Sequence, residues 1–320
     1  MENRKIINIC RFNDTTRAYF DSYAKELGFI TANIPLPGRS EEDIVKTMKG
    51  YNAVIAGAAE QYTYSVMSAL LPELKAIMRF GVGYDNIDTK AARELGVTAM
   101  IAAGGNASAV AEQALTLMLA ITRHTCRFDR EMRQGKWIPR VATQLEGKTV
   151  GIIGFGRIGR ILAGYLSGFK CELLVADDYI EDSVITGHGA RRASMDEIAA
   201  KSDYISLHAP LSAETRGMID KAYLSRMKPT AFLINTSRGP VINEDDLIEA
   251  LANNVIAGAG LDVFVNEPLQ EVSGLRELDN VVLAPHAASG TQEANLLSVK
   301  IILDNLNKLF NGEPCDGIVS

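Results

Sequence analysis

Cysteine is sparse in this sequence: Cys10, Cys126, Cys171 and Cys315 are scattered, with no C-x-x-C pairing. Neither a metal site nor a disulfide framework is expected, and the thiols read as reduced. Basic charge is short as well, with 33 Lys and Arg against 39 Asp and Glu and a formal charge of −6. Phosphate backbones demand a clustered basic face, so no nucleic-acid partner is expected. Spanning a bilayer takes about 20 apolar residues, and the longest candidate, residues 109–121, is broken by Glu112 and Gln113. The opening Met1 to Lys5 leads into an apolar stretch too short for a signal-peptide core. No internal repeat or low-complexity tract occurs. These absences point to a cytoplasmic protein with no membrane partner.

What is present is the composition of a compact globular chain, 47% apolar and 22% charged over 320 residues, enough for two domains of ordinary size. Apolar runs predict strands over residues 4–10, 29–34, 53–56 and 74–79, alternating with helices over 15–27 and 41–48. Gly28 and Gly50 stand where helices end, and Pro35 and Pro37 close the second strand. A segment over 108–123 is apolar nearly all round, as helices buried between layers, domains or subunits are. The α/β rhythm restarts at Lys148, with strands over 149–153 and 172–176 flanking a helix over 157–168, and continues to a strand over 281–284. A last helix over 293–310 is read as returning to the first unit. The expected fold class is therefore α/β, with two doubly wound parallel-sheet domains. The outer domain takes 1–103 and 291–320, and the inner one 104–290.

The sharpest local signal is Gly154-Phe155-Gly156-Arg157-Ile158-Gly159, directly after an apolar strand and at the mouth of a helix. Gly154 permits a tight turn, Gly156 lets the backbone approach a pyrophosphate, and Gly159 allows close helix–strand packing. The pyrophosphate would then meet free N–H groups at the positive end of the helix. Asp177 ends the following strand, about 20 residues on, where a carboxylate binds the adenosine ribose hydroxyls and repels a 2′-phosphate. NAD is favoured over NADP; Asp178 is adjacent and could serve instead. The plainer reading is a ligand-free turn, which the strand–helix context makes the weaker one.

A nicotinamide enzyme also needs a proton donor and a cation to hold its substrate. Of the four histidines, His124 follows the long apolar helix and His188 lies in a polar loop, while His208 and His286 each follow an apolar strand. Open α/β sheets place ligands at such strand ends, yet a strand-end histidine is as readily structural.

Several motifs occur in order: Gly81-Val82-Gly83-Tyr84-Asp85-Asn86, Leu207-His208-Ala209-Pro210, Asn235-Thr236-Ser237-Arg238-Gly239-Pro240, Gly260-Leu261-Asp262 through Glu267-Pro268, and Ala284-Pro285-His286. Together with the glycine motif they resemble the D-isomer-specific 2-hydroxyacid dehydrogenases, most clearly over 80–288. That resemblance implies a Rossmann NAD domain inserted in a flavodoxin-like substrate domain, a small 2-hydroxy or 2-keto acid as substrate, and a homodimer through the 108–123 helix. It implies that Arg238 binds the substrate's carboxylate and carbonyl oxygen, and that His286 is the general acid of reduction. Glu267 would hold the other imidazole nitrogen and favour its charged form. Val82 and Gly83 would cradle the carboxylate by their backbone, with Asn106 close by, although Asn106 also reads as the cap of the long helix. Arg157, Ile158, His208, Thr236, Ser237 and Asp262 would contact the cofactor, the last through the nicotinamide carboxamide.

The motif wording is nearest the phosphoglycerate dehydrogenase and hydroxypyruvate reductase-like members. The phosphoglycerate branch often carries an arginine after the strand that reads Ala53-Val54-Ile55-Ala56 here, and no basic residue stands between Asn52 and Leu74. A phosphate needs dense positive charge, so a small unphosphorylated acid such as glyoxylate or hydroxypyruvate is expected. The sequence also stops at Ser320, which leaves no room for a regulatory domain of that branch. The alternative is a non-catalytic, NAD-sensing interaction protein of the same fold, though such corepressors tend to carry disordered tails. Formate dehydrogenases place Gln where Glu267 stands.

Overall fold

The computed structural model describes residues 4–36, 38 and 40–320. Of the two prolines expected to close the second strand, Pro37 lies outside the described residues. The chain divides into two compact units, Met1–Asn106 with Ser289–Ser320, and Ala107–Ala288.

The first unit is built on five parallel strands: β1 (Lys5–Asn8), β2 (Ile30–Asn33), β3 (Ala53–Ala56), β4 (Ala76–Arg79) and β5 (Thr98–Ile101), in the order β2-β1-β3-β4-β5. This is the flavodoxin-like order, which reverses between β1 and β3. Alternation along each strand feeds two cores. Ile7, Val54, Ile77 and Ala99 point to one face, and Ile6, Ile55, Met78 and Met100 to the other. Val299, Ile302, Leu303 and Leu306 of the Gln292–Phe310 helix close the second face together with Phe20. Each such aliphatic side chain contributes about 1.5–3 kcal/mol by leaving water, so the C-terminal helix is an integral layer of this unit.

The second unit holds seven parallel strands: β6 (Thr149–Ile153), β7 (Glu172–Ala176), β8 (Ala190–Arg192), β9 (Tyr204–Leu207), β10 (Phe232–Asn235), β11 (Gly258–Leu261) and β12 (Val281–Leu283). Their order, β12-β11-β10-β9-β6-β7-β8, is that of a Rossmann sheet, reversing between β6 and β9. The Ala107–Thr122 helix buries Ala111, Ala114, Leu117, Met118 and Ile121 in this unit's own core. Its apolarity is thus largely accounted for by packing within the unit. A polar helix, Thr125–Arg133, follows it and buries only Glu131 among its residues. Among the described residues, no helix is long and apolar enough to cross a membrane.

Candidate active site

The glycine-rich turn sits at the carboxyl end of β6, at the point where the strand order reverses. Gly154 has φ +89°, and a Cβ there would lie 2.5 Å from the amide nitrogen of Ala209, so only glycine fits. A Cβ on Gly159 would lie 2.5 Å from the Gly154 carbonyl oxygen, which lets the helix press against the strand. Gly156 differs: it is exposed and nothing stands within 4 Å of its Cβ position. It also caps the Arg157–Ser167 helix without any side-chain bond, so open space meets unspent helix N–H groups. Arg157 is exposed beside it, and Ile158 packs partly into the core. The Asp177 carboxylate is fixed in place by the N–H groups of Phe155 (2.7 Å) and Tyr179 (2.9 Å), whereas Asp178 is exposed. These features fit a dinucleotide.

Two further orphans stand at the same edge. His208 Nε2 is 2.9 Å from the Ser206 hydroxyl, while its Nδ1 is buried without a partner. Burial pushes its imidazole down to about 4, so the ring is neutral at pH 7. Thr236 Oγ1 is likewise buried and unpartnered. Ser237 is already engaged, its N–H and hydroxyl both bonded to Asn235 Oδ1 at 3.0 and 2.9 Å.

Asn235 opens the Asn235-Thr236-Ser237-Arg238 motif, and residue type alone assigns it no role. It is fully buried at the end of β10, and its Nδ2 donates to the Arg238 carbonyl at 2.9 Å. It therefore shapes the loop that presents Arg238. The signal in the sequence was an asparagine at the end of an apolar strand, just before Thr-Ser. A Cβ on Gly239 would fall 1.9 Å from the carbonyl carbon of Phe264, so the Arg238 loop and the Phe264–Glu267 loop touch backbone to backbone. Arg238 then acts electrostatically on Glu267.

Glu267 accepts from the Phe264 N–H through Oε1 at 3.0 Å and meets His286 Nδ1 through Oε2 at 2.6 Å. Burial alone would raise its carboxyl, but hydrogen bonds from His286 and Phe264 and the charges of His286 and Arg238 outweigh it and hold the group below the usual glutamate range. A carboxylate on Nδ1 makes that nitrogen the donor and leaves Nε2 to exchange a proton. His286 is 38% exposed by its side chain, open enough to meet a substrate. Its backbone has φ +52°, a left-handed conformation unusual for a non-glycine residue. Asp262 explains how it persists. Fully buried, Asp262 accepts from the Ala287 and Ala288 N–H groups, each at 2.9 Å, and its carbonyl accepts from His286 N at 2.8 Å. Its carboxylate thus clamps the histidine's loop, a task that the sequence did not reveal.

In the first unit, Val82 and Gly83 lie partly buried in the loop after β4, next to Gly81 with φ +136°. Asn106 precedes the Ala107–Thr122 helix, but its Oδ1 is buried with no hydrogen-bond partner. The expected side-chain cap is therefore not made, and the atom stays available.

The family model for the D-isomer-specific 2-hydroxyacid dehydrogenase NAD-binding domain matches residues 115–288. A glyoxylate reductase of Korarchaeum cryptofilum is 36% identical over 287 residues, 88% of this chain and 86% of that protein. A D-3-phosphoglycerate dehydrogenase of Synechocystis sp. is 35% identical over 285 residues, but the chain spans only 51% of its length. The crystal structure of a glyoxylate reductase from Paecilomyes thermophila superimposes with a TM-score of 0.88 at 29% identity, covering 100% of this chain and 99% of that one.

Proposed function

We propose that this chain, which belongs to the D-isomer-specific 2-hydroxyacid dehydrogenase family and uses NAD, interconverts a short unphosphorylated 2-keto acid and its D-2-hydroxy acid. The observation that carries the reading is the Glu267–His286 pair at 2.6 Å, with Arg238 acting on the same carboxylate. In the reductive direction His286 Nε2 gives a proton to the carbonyl oxygen as that oxygen becomes an alkoxide. Glu267 keeps the imidazole oriented and balances its charge. Arg238, a planar and permanently charged donor, holds the carboxylate and polarises the carbonyl. The backbone N–H groups of Val82 and Gly83 receive the carboxylate, and the buried Asn106 Oδ1 is an acceptor for the hydroxyl of the D-2-hydroxy acid. Bound NADH supplies the hydride. Gly154, Gly156, Gly159 and Asp177 would hold the cofactor, helped by Arg157, Ile158, His208 and Thr236. In this reading Asp262 and Ser237 act mainly by fixing the two loops.

The preference for an unphosphorylated acid rests on the lack of a basic residue between Asn52 and Leu74. The two curated relatives reported above are named as enzymes, which supports catalysis over a purely sensing role. A cytoplasmic homodimer completes the proposal. Met132, Trp137 (82% exposed), Ile138 and Val141 (96% exposed) leave apolar surface after the Thr125–Arg133 helix that a second copy would cover. The deciding experiment follows NADH oxidation by the purified protein against glyoxylate, hydroxypyruvate, phosphohydroxypyruvate and pyruvate. Turnover of an unphosphorylated acid is expected; preference for the phosphorylated one sinks the substrate reading.

A further inference from the structure

A second polar cluster lies within the first unit, on the carboxyl edge of its sheet. The crevice where the β2-β1-β3-β4-β5 order reverses is the place where doubly wound sheets bind ligands. Cys10 follows β1, Glu60 and Tyr62 follow β3, and Arg79 ends β4. The loops are latched together. Asn86 Nδ2 donates to the carbonyls of Gly57 (3.2 Å) and Glu60 (2.6 Å), and Tyr62 exchanges backbone bonds with Asn86 and Asp88 at 2.8 and 3.0 Å. The Arg79 guanidinium lies against Gly81, 3.1 Å from its Cβ position, and donates to the Phe80 carbonyl. A Cβ on Gly57 would stand 2.9 Å from both Glu60 carboxylate oxygens, so a side chain there would displace the carboxylate.

What needs explaining is that this framework holds its functional atoms unspent. Glu60 is only 9% exposed and Tyr62 1% exposed, yet Glu60 Oε2 and the Tyr62 hydroxyl have no hydrogen-bond partner. Such groups are costly to bury unpaired, and natural proteins seldom keep them without a use. Burial pushes the Tyr62 phenol well above its ordinary value and the Cys10 thiol up to about 12, so both stay neutral. Glu60 and Arg79 act on both groups with opposite sign, which places all four side chains near one another. We propose that Glu60 and the Tyr62 hydroxyl recognise the C3 hydroxyl of a 3-hydroxy-2-keto acid and so set substrate choice. One hydroxyl is donor and acceptor at once, so it satisfies the Glu60 carboxylate and the Tyr62 O–H together. A methyl in its place leaves both orphaned. A phosphate brings nearly two negative charges to a buried carboxylate. The inference rests on the reading above, in which the adjoining Val82–Gly83 loop receives the substrate's carboxylate.

Hydroxypyruvate and pyruvate differ only in that hydroxyl, so their kcat/KM ratio with NADH reads the proposal directly. The full-length protein should favour hydroxypyruvate by about 10²-fold or more, since a site built to bond a hydroxyl can reject its absence by about 10⁴-fold. Glu60→Gln should cut the ratio about 10-fold or more, chiefly by raising KM for hydroxypyruvate, the weight of one hydrogen bond to a charged group. Tyr62→Phe should move it less, in the same direction, and carries the test alone if the Glu60 variant fails to bind NADH. A wild-type ratio near one, or a ratio unmoved in both variants, overturns the inference while leaving keto-acid reduction standing. Wild-type protein that binds NADH but reduces none of these acids overturns the functional reading, and the inference with it.

Discussion

The two units place polar clusters at the same kind of sheet edge but leave them in opposite states. In the seven-stranded unit Glu267 and Asp262 both have their two carboxylate oxygens engaged, and Asn235 is bonded through Oδ1 and Nδ2. In the five-stranded unit Glu60 and Tyr62 are more deeply buried than His286 and yet unpaired. The contrast follows the work each cluster is suited to. Proton transfer needs one tautomer and one orientation fixed beforehand, whereas recognition needs valences that only the ligand fills. His208 and Thr236 sharpen the point, since the seven-stranded unit leaves its own orphans beside the dinucleotide turn.

The severest test removes the prepared donor. His286→Ala should lower kcat for reduction roughly 10²–10⁴-fold, the usual weight of a general acid; a near-native rate would erase the contrast. Next come the two glycines of one turn. Gly154→Ala meets backbone at 2.5 Å with φ +89° and should lower stability by more than about 2 kcal/mol in urea unfolding. Gly156→Ala faces open space and should leave stability within about 0.5 kcal/mol, while weakening NADH binding measured by calorimetry. Equal losses in both measurements would mean that the turn is structural only.

His208 gives a smaller effect with a definite sign. Its folded imidazole sits at about 4, below the ordinary 6.5, so between those values the unfolded chain binds more protons and stability falls as the pH drops. A loss of about 2–3 kcal/mol from pH 6.5 to 4 is expected, and His208→Gln should flatten that slope. The mildest change is Glu267→Gln, which keeps an acceptor for His286 but removes the charge. It should slow reduction about 10-fold by the loss of one charge-assisted bond. No change would mean that the carboxylate only positions the ring.

Much of the fold was legible because parallel strands buried on both faces write themselves as short apolar runs. β8 was not, being three residues with two exposed arginines, nor was the Thr125–Arg133 helix, whose only apolar residues are Cys126, Phe128 and Met132 among charged ones. At the site, the spacing of Gly154, Gly156 and Gly159 and the acid at Asp177 were readable, since backbone sterics dictate them locally. The tasks of Asn235 and Asp262 were not, because each is defined by atoms that the fold brings to it: Asp262 meets N–H groups 25 and 26 residues away.

By itself, then, the sequence determined the parallel α/β rhythm, the dinucleotide turn and which side chains could act as acid, cation and base. All of these depend on residue type and near neighbours. Only the tertiary structure decided that Glu267 meets His286 across 19 residues, that His286 adopts a left-handed backbone, and that Glu60 stays buried beside Tyr62 with an oxygen to spare. Those are facts of packing and of satisfied or unsatisfied valence, and a valence is settled only when the whole chain has chosen its neighbours.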